Sequence, residues 1–229
     1  MKKQKIFIAC DSSNIDKIKK IIQLTNTNKL KIGYKFGLEF FYSKEGRKFI
    51  SKLKDKEVFL DLKLNDIPNT CASAILSLKD LKNISYLTVH ISGGYEMLKE
   101  VKKAAKRINR KLKVLGVTIL TSFSKSSIKK IGHTKSIEEL VKKQAALAKS
   151  TKLDGIVCSG HEASLIKKIC KRMEIITPGI RLAGDEAGDQ KRVVTPREAF
   201  KYGATAIVMG RSITKGDIKN NIQKLIKSL

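Results

Sequence analysis

The sequence predicts an α/β protein folded as a single (β/α)8 TIM barrel, and three observations support this fold. Eight short runs rich in β-branched residues alternate with amphipathic, lysine-rich stretches, a pattern typical of parallel strands joined by crossover helices. The length of 229 residues is ordinary for one such barrel. No stretch is rich enough in Pro, Gly or Ser to form a linker, so we expect one domain over residues 1–229. Periodicity alone leaves a doubly wound open sheet as the alternative.

The predicted strands are short and β-branched, and apolar residues recur at helical spacing in the stretches between them. In chain order the strands cover residues 5–10, 29–33, 57–62, 86–90, 113–119, 155–158, 174–177 and 205–209. The helices cover residues 15–24, 39–53, 70–81, 94–108, 137–150, 162–170, 196–202 and 218–229. In a barrel of this type the chemistry belongs at the carboxyl ends of the strands.

The chain is strongly basic, with 48 Lys and Arg against 21 Asp and Glu and a formal net charge of +27. Most of the excess is lysine, spread along the polar faces of the predicted helices, and no basic cluster is interleaved with stacking aromatics. We therefore expect no nucleic-acid partner, although the positive field would attract anionic small substrates. The apolar fraction of 41% argues against disorder.

Side chains that commonly bind transition metals are few in this chain. Cys10, Cys71, Cys158 and Cys170 show no CxxC spacing, so we expect reduced, mostly buried thiols and no metal site. No apolar run approaches the roughly 18–20 residues that a membrane span needs, and the start of the chain shows no cleavage-site pattern. We expect a cytoplasmic protein without a membrane partner.

Polar side chains lie at the ends of several predicted strands, where a barrel carries its site. In chain order they are Asp11 after the first strand, Lys31 in the second, Asp61, Lys63 and Asp66 at the end of the third, His90 at the end of the fourth, Arg181 after the seventh and Arg211 after the eighth. A hydrogen-bonded structural residue is as good an interpretation of His90 as a substrate contact.

The third strand places two opposite charges on one side of the sheet. Residues i and i+2 of a strand point the same way, so Asp61 and Lys63 both face the barrel interior. Such charges stay ionised only where acids and bases alternate and pair. We expect Lys31 on the neighbouring strand and Asp66 on the following loop to complete this chain of charges. A buried ion-pair network without catalytic function is the alternative.

The loops after the seventh and eighth strands contain the parts of a phosphate site. Arg181 follows a Pro-Gly pair and Arg211 follows Gly210, so each loop offers a planar charged donor beside an exposed backbone amide. Alternatively, the glycines only permit tight turns and the arginines form surface ion pairs.

The segment Asp61-Leu62-Lys63-Leu64-Asn65-Asp66-Ile67-Pro68-Asn69-Thr70 resembles the signature D-x-K-x-x-D-I-P-x-T of the orotidine 5′-phosphate decarboxylase family. The resemblance covers nearly the whole chain. It also includes Ile8-Ala9-Cys10-Asp11, Leu30-Lys31-Ile32-Gly33, Val89-His90-Ile91-Ser92-Gly93-Gly94, Leu120-Thr121-Ser122, Thr177-Pro178-Gly179-Ile180-Arg181, Gly188-Asp189-Gln190 and Val208-Met209-Gly210-Arg211-Ser212-Ile213-Thr214. It implies an enzyme that converts orotidine 5′-monophosphate to uridine 5′-monophosphate and CO₂ in de novo pyrimidine biosynthesis, without metal or organic cofactor.

The resemblance implies roles for the charged residues near the reacting carbon. Lys63 would stabilise the developing carbanion at C6 of the pyrimidine and then protonate it, and Asp61 would lie beside the departing carboxylate. Lys31 and Asp66 would orient the ends of the charged chain. Asp11, together with Lys31, would hold the ribose hydroxyls.

The resemblance also implies contacts away from the reacting carbon. Gln190 and Arg211 would contact the phosphate, with Gly210 in the same loop as Arg211. Arg181 would lie in a closing loop that includes residues 182–190, and Thr121 would contact the pyrimidine. In the family, the residues that correspond to Asp66 and Thr70 reach into the site of the other subunit. The resemblance therefore implies a homodimer with two shared sites.

Two other functions stay open at this point. Sugar-phosphate decarboxylases and aldolases of the same barrel superfamily share D-x-K-x-x-D but use magnesium and an enediolate intermediate. They generally lack the I-P-x-T, P-G-I-R and G-D-Q segments that this sequence contains. A basic scaffold for nucleic acid would show a steep salt dependence of binding and no turnover.

Overall fold

The computed structural model describes residues 3–186 and 192–229, and its eight parallel strands form a closed barrel. The strands follow one another around the barrel in chain order, and the last pairs with the first. They are β1 (Lys5–Ala9), β2 (Lys31–Phe36), β3 (Glu57–Leu64), β4 (Ile84–His90), β5 (Lys113–Val117), β6 (Gly155–Val157), β7 (Glu174–Thr177) and β8 (Ala206–Met209). The predicted (β/α)8 TIM barrel is confirmed.

Helices connect successive strands and begin where side chains cap them. Asn14 accepts the N–H of Lys17 at the start of the first helix, and Ser136 accepts the N–H of Glu139 at the start of a later one. The helices are α1 (Ile15–Leu24), α2 (Leu38–Phe41), α3 (Gly46–Ser51), α4 (Pro68–Leu76), α5 (Gly94–Ile108), α6 (Lys125–Lys130), α7 (Ile137–Ser150), α8 (Gly160–Ile169), α9 (Pro196–Lys201), α10 (Arg211–Thr214) and α11 (Ile218–Ser228). Over the described ranges, none of them combines the length and apolar character of a membrane span.

Two apolar layers position the strand ends. Inside the barrel, the rings of Phe59 and Tyr86 each pack edge to face on Phe7, with centroids 5.2 Å apart. A larger layer between the strands and the helices includes Ile8, Leu60 and most of the other buried aliphatic residues. Each fully buried ring or aliphatic side chain contributes about 1.5–3 kcal/mol, so the barrel is a rigid support for residues at its rim.

The second strand starts and ends later along the chain than the predicted range 29–33. Its partners in β1 place Lys31 beside Lys5 and Lys35 beside Ala9, so Lys31 lies at the amino-terminal end of the barrel and Lys35 at the carboxyl end. The apolar alternation of this segment continues to Phe36, which is fully buried. Alternation gives the inward face of a strand but does not mark where the strand ends.

The predicted helix over residues 39–53 is two short helices, α2 and α3, with a turn between them. The chain folds back at Gly46, where an added Cβ would lie 1.7 Å from the carbonyl oxygen of Phe40. No larger residue fits at that approach without moving the backbone. The turn leaves Tyr42 at the surface with 73% of its area exposed.

Candidate active site

Four charged side chains form a continuous chain at the carboxyl ends of β1, β2 and β3. The Nζ of Lys35 lies 2.9 Å from Oδ1 of Asp11 and 3.4 Å from Oδ2 of Asp61. The Nζ of Lys63 donates to the same Asp61 oxygen at 2.8 Å. The order of charges is therefore Asp11, Lys35, Asp61, Lys63, with each acid beside at least one ammonium group.

Burial and pairing compete to set the charges at the middle of this chain. Burial acts to raise the pKa of Asp61, but Lys35 and Lys63 outweigh it, so the pKa lies below its ordinary value. Burial acts to lower the pKa of Lys35, and Asp61 and Asp11 outweigh it, so that pKa lies above its ordinary value. Both groups are fixed in their charged forms at neutral pH.

The expectation that Lys31 joins this chain of charges is wrong. Lys31 is exposed, and its Nζ lies 3.8 Å from Glu57 at the opposite end of the barrel. Lys35 takes the expected place because β2 extends three residues past Gly33. The sequence offers both lysines for this place, since two K-x-G segments lie in and directly after the second strand, at Lys31-Ile32-Gly33 and at Lys35-Phe36-Gly37.

The second of these glycines fits the charged site. A Cβ at Gly37 would lie 3.0 Å from Oδ1 of Asp11 and 3.4 Å from Nζ of Lys35, so glycine leaves room for their contact. A Cβ at Gly33 would instead lie 2.6 Å from the ring of Phe7 in the barrel interior. The glycine of the first K-x-G therefore makes room for packing in the barrel interior, and the glycine of the second makes room for the contact between Asp11 and Lys35.

Lys63 has an unusual backbone conformation. Its φ of 49° lies in the left-handed region, which costs a non-glycine residue roughly 1–3 kcal/mol. The strand register between β3 and β4 shifts at the same place. This bulge directs Lys63 toward the cavity, where 31% of its side chain is exposed.

The charged chain lines a cavity of about 450 Å³ at this end of the barrel, within the usual range for small-molecule sites. The same cavity is lined by Gly179 and Arg181 after β7 and by Gly210 and Arg211 after β8, strands that lie across the barrel from β3 and Lys63. Burial and the nearby charge of Arg211 hold the pKa of Arg181 below its ordinary value. Two guanidinium groups that repel each other at the rim of a cavity form a suitable site for an anion.

Of the other expected substrate contacts, one lines the cavity, two are exposed outside it, and one is not among the described residues. Thr121 is buried in the wall of the cavity, and its contact with the base stays a prediction. Asp66 and Thr70 are exposed and lie outside the cavity lining of their own chain. Gln190, with the segment Gly188-Asp189-Gln190, lies outside the described residues, as does the end of the expected closing loop over residues 182–190.

Arg192 is a cavity-supporting residue that sequence reasoning missed. Its guanidinium donates to the carbonyl oxygens of Ile119 and Leu120, both at 3.1 Å, and pairs with the buried carboxylate of Glu162. One side chain thus holds the loop that precedes Thr121 against the start of α8. These contacts span 72 and 73 positions of the sequence, and no local pattern indicates them.

One other polar residue, His90 at the end of β4, lies close enough to the charged chain to be affected by it. His90 is half-buried, and burial and Lys63 lower its pKa below the ordinary value although Asp61 opposes this.

Residues 3–186 and 192–229 contain no group of three or more His, Cys, Asp or Glu side chains arranged to hold a metal ion. The four cysteines are buried free thiols.

Known proteins resemble this chain over most of its length. The model of the orotidine 5′-phosphate decarboxylase / HUMPS family matches residues 4–224. The chain is 43% identical over 231 residues to an orotidine 5′-phosphate decarboxylase of Buchnera aphidicola, covering 98% of this chain and 95% of the relative. It is 41% identical over 217 residues to that of Erythrobacter litoralis, covering 93% and 92%.

Solved structures show the same architecture. The crystal structure of orotidine 5′-phosphate decarboxylase from Lactobacillus acidophilus superposes with a TM-score of 0.84 at 32% identity, covering 98% of each chain. The inhibitor complex of the Methanocaldococcus jannaschii decarboxylase superposes with a TM-score of 0.78 at 24% identity, over 100% of this chain and 99% of that one, and supports the fold alone. The family match over most of the chain, together with these relatives, shows that the protein belongs to the orotidine 5′-phosphate decarboxylase / HUMPS family.

Proposed function

We propose that the chain converts orotidine 5′-monophosphate to uridine 5′-monophosphate and CO₂, as a cytoplasmic, single-domain, cofactor-independent enzyme of pyrimidine biosynthesis. One observation carries the proposal most strongly. An ammonium and a carboxylate, Lys63 and Asp61, contact each other at the wall of a nucleotide-sized cavity whose other side carries Arg181 and Arg211. This arrangement suits a substrate with a reacting ring at one end and a phosphate at the other.

The proposed chemistry takes place at C6 of the pyrimidine. The C6 to carboxylate bond breaks, its electron pair stays on C6, and CO₂ leaves. The carbanion that develops there has little delocalisation, so the protein must stabilise the charge. Lys63 supplies a positive charge beside C6 and then transfers one proton to it, which completes uridine 5′-monophosphate and leaves a neutral amine to be reprotonated from water.

Asp61 and Lys35 prepare Lys63 for this step. Asp61 accepts from the Lys63 ammonium and fixes its position, while Lys35 keeps Asp61 ionised in a buried setting. Lys35 takes the role that the sequence predicted for Lys31. With Asp11, which it contacts at 2.9 Å, it is also placed to bind the ribose hydroxyls.

Binding of the phosphate is proposed for the opposite rim. Arg211, Gly210 and Gln190 would bind the phosphate. Arg181 would lie in the closing loop, and Thr121 would contact the base. Binding energy from this distant group can order the loop and improve the alignment at C6, which raises the rate as well as the affinity.

The proposal includes a homodimer in which Asp66 and Thr70 reach the partner's site. Both are exposed beside the cavity-lining strand β3, and Ile67 between them exposes 66% of its area. A mixture of Lys63→Ala and Asp66→Asn chains tests this sharing, because a hybrid dimer contains one intact site. We expect the equimolar mixture to recover about a quarter of wild-type activity after random exchange of subunits. A mixture no more active than its parents would contradict shared sites.

The overall function is tested by ultraviolet monitoring of orotidine 5′-monophosphate with and without EDTA. We expect loss of orotidylate absorbance at the same rate in both conditions. A magnesium-dependent sugar-phosphate decarboxylase or aldolase of the same superfamily would leave orotidylate unchanged and would lose its own activity in EDTA. No turnover of orotidylate by the pure protein would contradict the proposal.

A further inference from the structure

The β3–β4 bulge beneath Lys63 has a single polar side chain facing it. The strand register pairs Leu60 with Leu87 and Leu64 with Val89. Three residues of β3, positions 61 to 63, therefore lie opposite Thr88 alone. Thr88 is fully buried, so solvent does not compensate for polar groups that the bulge leaves without strand partners.

The Thr88 hydroxyl contacts both members of the proposed catalytic pair. It accepts the backbone N–H of Lys63 at 2.9 Å and donates to Oδ1 of Asp61 at 3.0 Å. The other carboxylate oxygen, Oδ2, receives the Lys63 ammonium. One hydroxyl thus connects the main chain of Lys63 to the carboxylate that holds the end of its side chain.

This link accounts for how the strand tolerates a left-handed lysine. In a regular ladder the N–H of Lys63 would donate to a carbonyl of the neighbouring strand, and the bulge replaces that partner with a side-chain oxygen. A buried N–H without a partner is costly, so the φ of 49° at Lys63 and the hydroxyl of Thr88 form one structural unit.

We propose that Thr88 is a positioning residue for the decarboxylation, because its hydroxyl holds the bulge that directs Lys63 and fixes the rotation of the Asp61 carboxylate. This inference rests on the proposed function of Lys63. Removal of the hydroxyl frees the Lys63 main chain to leave the left-handed conformation and releases one oxygen of Asp61. The ammonium then moves relative to C6, and misalignment of about 1 Å lowers a rate by up to about 100-fold.

The test compares Thr88→Val, Thr88→Ser and Thr25→Val. Valine keeps the shape of threonine without the hydroxyl, and serine restores the hydroxyl. Thr25 is the matched control, since it is also fully buried and its hydroxyl also makes two contacts, to the Ile21 carbonyl oxygen and the Tyr34 hydroxyl, neither of which belongs to the charged chain. For each variant, kcat, KM, the Kd of uridine 5′-monophosphate and the melting temperature are measured.

We expect Thr88→Val to lower kcat by about 10–100-fold while the Kd of the product nucleotide stays at the wild-type value. Thr88→Ser should recover most of kcat. Thr25→Val should lower the melting temperature without lowering kcat. Wild-type kcat in Thr88→Val would overturn the inference, as would an equal loss of kcat in Thr25→Val. If Thr88→Val does not fold, Thr88→Cys keeps the size with a weaker donor and should give an intermediate kcat.

A readout without turnover separates this inference from the proposed function. Carbon-13 NMR titration of the Asp61 carboxyl should show a higher pKa in Thr88→Val than in the wild type, because one hydrogen bond that favours the carboxylate is lost. If the wild type fails to decarboxylate orotidylate, the proposed function is wrong, and the titration still decides whether Thr88 holds Asp61. An unchanged pKa would overturn the inference even in an active enzyme.

Discussion

The two ends of the barrel carry similar ion pairs with different surroundings. On β2 and β3, Lys31 lies 3.8 Å from Glu57 at the amino-terminal end, and four residues further along each strand Lys35 lies 3.4 Å from Asp61. The amino-terminal pair belongs to a network around the Tyr86 hydroxyl, which accepts from Lys5 at 2.7 Å and donates to Glu174 at 2.9 Å. The carboxyl-terminal pair faces a cavity.

The comparison teaches that opposite charges inside a barrel do not by themselves indicate catalysis. At the amino-terminal end the rings of Tyr86, Phe7 and Phe59 pack together, so the ion pairs serve to close the barrel. At the carboxyl end the chain of charges ends at Lys63, whose ammonium lies at a cavity wall. Access to the cavity distinguishes a candidate catalytic group from a structural one.

The largest expected effect comes from removing the ammonium at the cavity. Lys63→Ala should lower kcat by at least about 10²–10⁴-fold, because a general acid and the charge beside C6 are lost together. Product nucleotide should still bind, since the phosphate site is intact, and calorimetric titration with uridine 5′-monophosphate checks this. A variant that retains a tenth of the wild-type rate would show that another group supplies the proton.

The next largest effect is expected at the proposed phosphate site. Arg211→Ala should lower kcat/KM for orotidine 5′-monophosphate by roughly 10–100-fold, the value of one or two charged hydrogen bonds. Orotidine without its phosphate is the control substrate and should be turned over equally well by both proteins. A matching loss with the nucleoside would mean that Arg211 does not act through the phosphate.

The amino-terminal network should affect stability and not turnover. Tyr86→Phe keeps the ring packing and removes the hydroxyl that Lys5 and Glu174 share. We expect a loss of about 1–3 kcal/mol in the free energy of unfolding, measured by urea titration, with kcat unchanged. A large loss of kcat in a folded Tyr86→Phe protein would remove the proposed distinction between the two ends.

The smallest expected effect is on acid stability. The pKa of Asp61 is lowered in the folded state, so its contribution to stability is present above its ordinary pKa and is lost as the pH falls through the folded-state pKa. In Lys35→Met this pKa rises, so the decline in unfolding free energy between about pH 5 and pH 3 should be shallower than in the wild type. Lys31→Met is the control and should keep the wild-type slope.

Local sequence patterns predict much of the fold and the pair on one strand. The alternation of eight strands with helices favours the closed barrel, although periodicity alone leaves an open sheet as the alternative, and the period of two predicts that Asp61 and Lys63 share a face. The bulge at Lys63 was not predicted, because it depends on Thr88, a residue 25 positions away. Periodicity describes a regular strand and contains no information on where the pairing shifts.

Contacts between distant segments account for the other differences. Choosing Lys35 instead of Lys31 required the register of β2 against β1, and register is set by packing across strands rather than by the composition of one strand. Arg192 was missed for the same reason. Asp66 and Thr70 stay predictions, since their proposed contacts lie on a second copy of the chain.

The most direct measurement of the difference between the two ends is the kcat of Lys35→Met beside that of Lys31→Met, with folding of both confirmed by thermal unfolding. Lys35→Met should lose about 100-fold or more in kcat. Without the Lys35 ammonium, the buried Asp61 carboxylate loses one of its two positive partners and holds Lys63 less precisely. Lys31→Met should keep the wild-type kcat. A normal kcat in Lys35→Met, or an equal loss in both variants, would contradict the assignment of the reaction to the carboxyl-terminal charges.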